Sequence, residues 1–113
     1  MAAVVAVGDV YTLIGRRDEL LGLLRDTQEL ARAEPGCVMY AFAEVVAEPG
    51  HFVVVQEWRD EAALEAHYAT PGFQDYQERV GDLLARPSEV RIHHVARTLY
   101  PQDGGPMDPR RAD

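Results

Sequence analysis

A chain of 113 residues has room for one domain with a modest core. Its 47% hydrophobic and 27% charged residues are ordinary for a soluble globular protein, and no apolar run reaches membrane-spanning length. A net charge of -8 argues against nucleic acid or an anionic membrane as partner, and the absence of lysine excludes Schiff-base or lysine-nucleophile chemistry.

The single cysteine, Cys37, leaves no internal disulfide and no cysteine-pair metal site, which fits a reducing cytoplasm. Residues 3 to 14 are rich in β-branched side chains and read as a buried strand rather than a signal peptide. Gly8 within it predicts a bulge, with close approach by something else, such as a ligand, as the other possibility. Asp9 reads as an exposed strand carboxylate, or as a base if it faces a pocket. Leu20, Leu21, Leu23, Leu24, Thr27, Leu30 and Ala31 then recur at helical spacing, and Glu34-Pro35-Gly36 stops the helix.

Residues 37 to 47 predict a second strand, with Val38, Tyr40, Phe42 and Val46 on one face. After the turn at Glu48-Pro49-Gly50-His51, residues 52 to 59 predict its hairpin partner, with Phe52, Val54, Gln56 and Trp58 facing one way. Asp60 is a suitable N-cap for a short helix with Leu64, His67 and Tyr68 on one side. Thr70-Pro71 starts another helix, whose buried stripe is Phe73, Tyr76, Val80, Leu83 and Leu84. Residues 89 to 99 predict the last strand. The domain thus spans residues 1 to 100, and residues 101 to 113 form a polar tail, either disordered or an arm on a partner.

The order β-α-β-β-α-α-β specifies an α+β fold: a split βαβ unit with an antiparallel sheet and helices on one face. Several strands are apolar on both faces, so the uncovered face needs a partner. A second copy packed sheet against sheet supplies it, and a homodimer is expected.

Several separated motifs carry a family resemblance. Glu34-Pro35-Gly36-Cys37, Tyr40, the run from Phe52 to Glu57-Trp58, Asp60-Glu61-Ala62-Ala63-Leu64, His67 and Thr70-Pro71-Gly72-Phe73 are similar to the antibiotic biosynthesis monooxygenase domain family. Leu13 to Glu19 resembles that family's first strand-to-helix turn. The resemblance covers about residues 4 to 98. It implies ferredoxin-like subunits paired in a dimeric α+β barrel, with a pocket between sheet and helices in each. It also implies a monooxygenase that oxidises a quinol, anthrone or polyketide-type phenol with O2, using no metal or other cofactor. Other members of the fold are haem-degrading enzymes, isomerase-type relatives and stress-related or small-ligand-binding dimers, so a non-catalytic binding dimer is the alternative. The haem-degrading branch matches at Trp58 only. The chain has no asparagine for the first strand, and Gln77 stands where that branch has its iron-ligating histidine.

Such a reaction asks two things of the protein: removal of a proton, and a dry place for a flat aromatic ring. His67 is the leading base, since imidazole ordinarily titrates near neutrality; its other role would be a structural tie to Glu57 or to backbone. His93 or His94 is an alternative base, and His51 sits in a turn. Trp58 is expected in the site, with Phe73, Tyr76, Tyr40 and Phe42 as wall or as plain core. Arg79 or Arg91 would hold a substrate oxyanion. The histidines and acids show no zinc-type spacing, and no serine, threonine or cysteine lies in a nucleophile motif.

Overall fold

The computed structural model describes residues 2–101 and 107–108. Strand β1 (Val4–Tyr11) leads through a turn to helix α1 (Arg17–Arg32). A hairpin follows, β2 (Cys37–Glu44) and β3 (His51–Trp58). Two short helices, α2 (Glu61–Tyr68) and α3 (Pro71–Val80), then run into a single 3-10 turn at Gly81–Leu83 and strand β4 (Glu89–His94). The sheet order is β2-β3-β1-β4, every neighbouring pair antiparallel. This is the ferredoxin-like split βαβ arrangement, with the helices on one face. Across the expected boundary between domain and tail, Tyr100–Pro101 (β5) pairs with Met107–Asp108 (β6). The other residues of the tail, 102–106 and 109–113, lie outside the described residues.

Alternation along the strands decides which side chains meet the helices. Val4, Ala6, Gly8 and Val10 of β1 and Phe52, Val54, Gln56 and Trp58 of β3 are buried on that side. They pack against Leu20, Leu23, Leu24 and Ala31 of α1 and Ala63 and Leu64 of α2. Full burial of each large apolar side chain contributes about 1.5–3 kcal/mol, so Trp58 and these four leucines anchor the layer. Val5, Val7, Val53 and Val55 point to the opposite face and are partly exposed there. Strand β4 is the open edge. Val90 and Ile92 share the helix side with Gly8 and Ala6 but extend past the helices, and both are exposed.

Five local expectations are corrected. Gly8 forms no bulge, because both of its ladders run one to one through it. A Cβ there would lie 2.9 Å from Val90 Cγ2, 3.0 Å from the Glu89 carbonyl and 3.1 Å from Val54 Cγ1, so glycine admits the neighbouring strands. The bulge lies instead in β2, between Cys37 and Met39. It throws Val38 outward, and the strand ends before Val46, which is also exposed. Leu30 lies on the exposed side of α1. His51 opens β3 rather than sitting in a solvated turn. Its Nε2 is 2.8 Å from Asp9 Oδ1, its Nδ1 meets Glu48, and its ring stacks on Tyr11, so Asp9 is a paired carboxylate on the open face. The last strand stops at His94, five residues short of the expected end.

Edge strand β2 is held by α1. Gln28 Oε1 accepts from the Phe42 N–H at 2.9 Å, and Arg32 Nε donates to the Tyr40 carbonyl at 2.9 Å. These bonds satisfy outward-facing backbone groups that an edge would otherwise expose. They also fix the two residues whose rings reach the site.

Candidate active site

The site begins with two helix starts and one turn. The Asp60 carboxylate caps α2 by accepting from the Ala63 N–H at 2.9 Å. The Thr70 hydroxyl accepts from the Phe73 N–H at 3.1 Å and donates to the His67 carbonyl at 2.8 Å. One side chain thereby sets the spacing between His67 and Phe73. Across from them, Gly36 has φ +80, and a Cβ there would come within 2.6 Å of the Ala63 Cβ. Glycine lets the turn after α1 press against α2, which delivers Glu34 to His67.

His67 is buried, and its Nδ1 lies 2.8 Å from Glu34 Oε1. A carboxylate only accepts, so Nδ1 carries the proton in this pair, and in the neutral ring Nε2 is then the atom with the lone pair. That Nε2 is the one fully enclosed side-chain nitrogen or oxygen without a hydrogen-bond partner among the described residues. Rings surround it. Centroid distances from His67 are 4.8 Å to Trp58, 5.0 Å to Phe73, 5.5 Å to Tyr40 and 5.6 Å to Tyr68. An unmet polar atom in such a place costs about 1–3 kcal/mol, which a purely structural histidine would avoid.

Beside this cluster, between the sheet and α3, lies a cavity of about 270 Å³. Tyr40, Phe42, Phe73 and Tyr76 wall it, and Gln56 and Gln77 add amides. No charged side chain lines it among the described residues. Burial pushes the Tyr76 phenol up to about 12, and raises Tyr40 as well, with a further contribution from Tyr76. Both phenols are therefore neutral donors at physiological pH. The volume lies just below the roughly 300–1,000 Å³ of most ligand pockets and suits a small fused-ring molecule.

Trp58 and His67 stand one layer behind this cavity rather than in its lining. Tyr40, Tyr68 and Phe73 line the cavity and pack against His67 at the same time. The indole Nε1 of Trp58 donates to Gln56 Oε1 at 2.9 Å. The partner of His67 is Glu34 and not Glu57, which shares the open face with Val5. Arg79 is exposed, lies outside the cavity lining and pairs with Asp75 at 3.2 Å. Arg91 and His93 are exposed and share the open face with Val7 and Val5, while exposed His94 lies 3.2 Å from Glu61. Gln56 and Glu34 are the residues that sequence reasoning missed. A glutamine among the inward residues Phe52, Val54 and Trp58 was the available signal for the first.

Comparison with known proteins agrees with this fold. Over 95 residues the chain is 36% identical to the uncharacterized protein sll1783 of Synechocystis sp., covering 84% of this chain and 65% of that protein. It therefore spans less than two thirds of that relative's length. It is 35% identical over 75 residues to YcnE of Bacillus subtilis, provisionally named a monooxygenase, covering 66% of this chain and 79% of YcnE. The structure of Rv0793 from Mycobacterium tuberculosis superposes with a TM-score of 0.79 at 30% identity, over 83% of this chain and 95% of that one. Residues 3–79 match the family described as antibiotic biosynthesis monooxygenase. With its split βαβ sheet and the aromatic cavity beneath α3, the chain belongs to the antibiotic biosynthesis monooxygenase family.

Proposed function

We propose that this chain is a monooxygenase that oxidises an electron-rich quinol, anthrone or polyketide-type phenol with O2, without metal or flavin. One observation carries the reading: a buried histidine, held by Glu34 with its Nε2 bare, beside an uncharged aromatic cavity. The bare nitrogen takes a proton from the substrate, and the anion left behind is electron-rich enough to reduce O2. For an anthrone, the ring CH2 becomes C=O. One oxygen atom enters that carbonyl and the other leaves as water, so substrate and O2 balance without an added reductant. The neutral phenols of Tyr40 and Tyr76 and the rings around them exclude water from the anion. Partly buried Phe73 and Tyr68 both line the cavity and pack against His67, so in this reading one of these rings turns aside for Nε2 to meet substrate.

A homodimer in the cytoplasm is part of this proposal. Partly exposed Val5, Val7, Val53 and Val55 form an apolar strip on the face away from the helices, which a second sheet would cover. Among the described residues no helix is long and apolar enough to cross a membrane. Light scattering at micromolar concentration tests the dimer; a monomer mass would contradict it.

The second reading, a dimer that binds flat apolar molecules without turnover, is favoured by the separation of Nε2 from the cavity lining. Oxygen uptake with a panel of anthrones and hydroquinones decides between them. Uptake coupled to formation of the oxidised ring supports the monooxygenase. Binding without uptake across the panel supports the second reading.

A further inference from the structure

We infer that Gln56 is a fixed hydrogen-bond donor to a ring oxygen of the substrate, and that Trp58 is the residue that sets its direction. The inference rests on the cavity being the substrate site and adds which atom of the substrate the protein grips.

An indole N–H can donate and cannot accept. The group of Gln56 that faces Trp58 Nε1 at 2.9 Å must therefore be the carbonyl oxygen, and the amide cannot flip without losing the bond. The NH2 then points away from the indole. Gln56 is 4% exposed, lies on the inward side of β3 between Ala6 and Tyr40 of the flanking strands, and lines the cavity. Its Nε2 makes no hydrogen bond among the described residues. Nor is it fully enclosed, as His67 Nε2 is. Two N–H donors are thus held at the floor of an aromatic cavity without an acceptor among the described residues. Trp58 cannot turn to release them, because it is fully buried with its ring edge-on to Tyr40.

A donor of this kind selects its ligand. A hydrocarbon of the right shape fills the cavity but leaves the N–H groups unmet. A fused-ring phenol or ketone whose oxygen reaches the β3 floor satisfies them. A neutral amide donor also binds a phenolate more strongly than a phenol, because a charged acceptor makes the stronger bond. Gln56 would therefore favour the deprotonated substrate, the form that reacts with O2. Trp58, lying outside the cavity lining, acts through Gln56 as a positioning residue.

The test uses binding rather than turnover, with 1-naphthol and naphthalene as probes of equal ring shape. Affinities are measured for the full chain and for Gln56→Met and Trp58→Phe, with circular dichroism as the check on folding. The wild-type protein is expected to prefer 1-naphthol by about tenfold, the scale of one net hydrogen bond. Gln56→Met should abolish that preference and leave naphthalene binding within about twofold, since methionine keeps the length without the donors. Trp58→Phe keeps Gln56 but frees its amide to turn, so the preference should fall there as well. Absorbance titration of bound 1-naphthol gives an independent readout: the wild type should hold the naphtholate to lower pH than either variant. Equal losses for both probes, a preference that survives Gln56→Met, or a wild type that binds neither probe would overturn the proposal. A Gln56-dependent preference without oxygen uptake would leave the donor standing and remove the monooxygenase. Uptake with a preference unchanged in Gln56→Met would do the reverse.

Discussion

Replacing His67 with leucine separates a catalytic histidine from a structural one. The substitution deletes the Nδ1 bond to Glu34, and a hydrogen bond to a charged partner contributes about 1.5–3 kcal/mol net. It also deletes the buried Nε2, whose unmet hydrogen bonding costs about 1–3 kcal/mol. The side chain of Glu34 is 17% exposed, so its carboxylate can recruit water once the imidazole is gone. Leucine, of similar volume, packs against Trp58, Tyr40 and Phe73 without a polar atom. These terms nearly cancel. Stability should change by no more than about 1 kcal/mol in either direction, or about 6 °C in melting temperature for a domain of this size. Oxygen uptake should meanwhile fall at least about a hundredfold. Thermal melts and an oxygen electrode on one preparation give both numbers. A loss of about 3 kcal/mol, with activity lost in proportion to the folded fraction, would refute the reasoning and make His67 a strut.

Gly36→Ala should disturb the site from a distance. The new Cβ has to move away from Ala63, 2.6 Å off, at a backbone φ of +80 that favours glycine. A cost of about 1–3 kcal/mol in chemical denaturation is expected, along with reduced turnover in the fraction that stays folded, because Glu34 moves with the turn. Glu44 gives a pH signature. The Arg17 guanidinium, followed by the Gly50 N–H, holds its carboxyl down to about 2. A folded-state value below the unfolded one means stability that is present above the usual carboxylate range and is lost as pH falls toward about 2. Melting temperatures between about pH 6 and pH 2 should drop less steeply in Glu44→Gln than in the wild type; parallel curves would contradict the coupling.

The elements that sequence placed well are those whose causes are local. Asp60 and Thr70-Pro71 announce two helix starts, and the structure shows their side chains capping as expected. Alternation through Phe52, Val54, Gln56 and Trp58 gives the inward face of β3 without error. What sequence could not supply depends on contacts between distant segments. The bulge at Cys37–Met39 shifts the parity of β2, and no residue there marks it. Gly8 marked something unusual, but whether that was a bulge or a close approach depended on Val54 and Val90, far along the chain. Glu57 was a reasonable partner for His67 by nearness in sequence, yet its strand parity turns it to the other face. Glu34 reaches His67 only because α1 returns across the sheet and Gly36 lets the turn close on α2. The cavity follows the same rule: its aromatic residues could be named, but which of them line it and which stand behind it depends on how α3 seats on the sheet.

The central claim is that Glu34 holds the imidazole proton on one nitrogen so that the other is free to take a proton from substrate. Long-range 1H–15N correlation spectra of the His67 ring at neutral pH measure this directly. The account predicts a proton on Nδ1 and a bare Nε2. A proton found on Nε2 would contradict it.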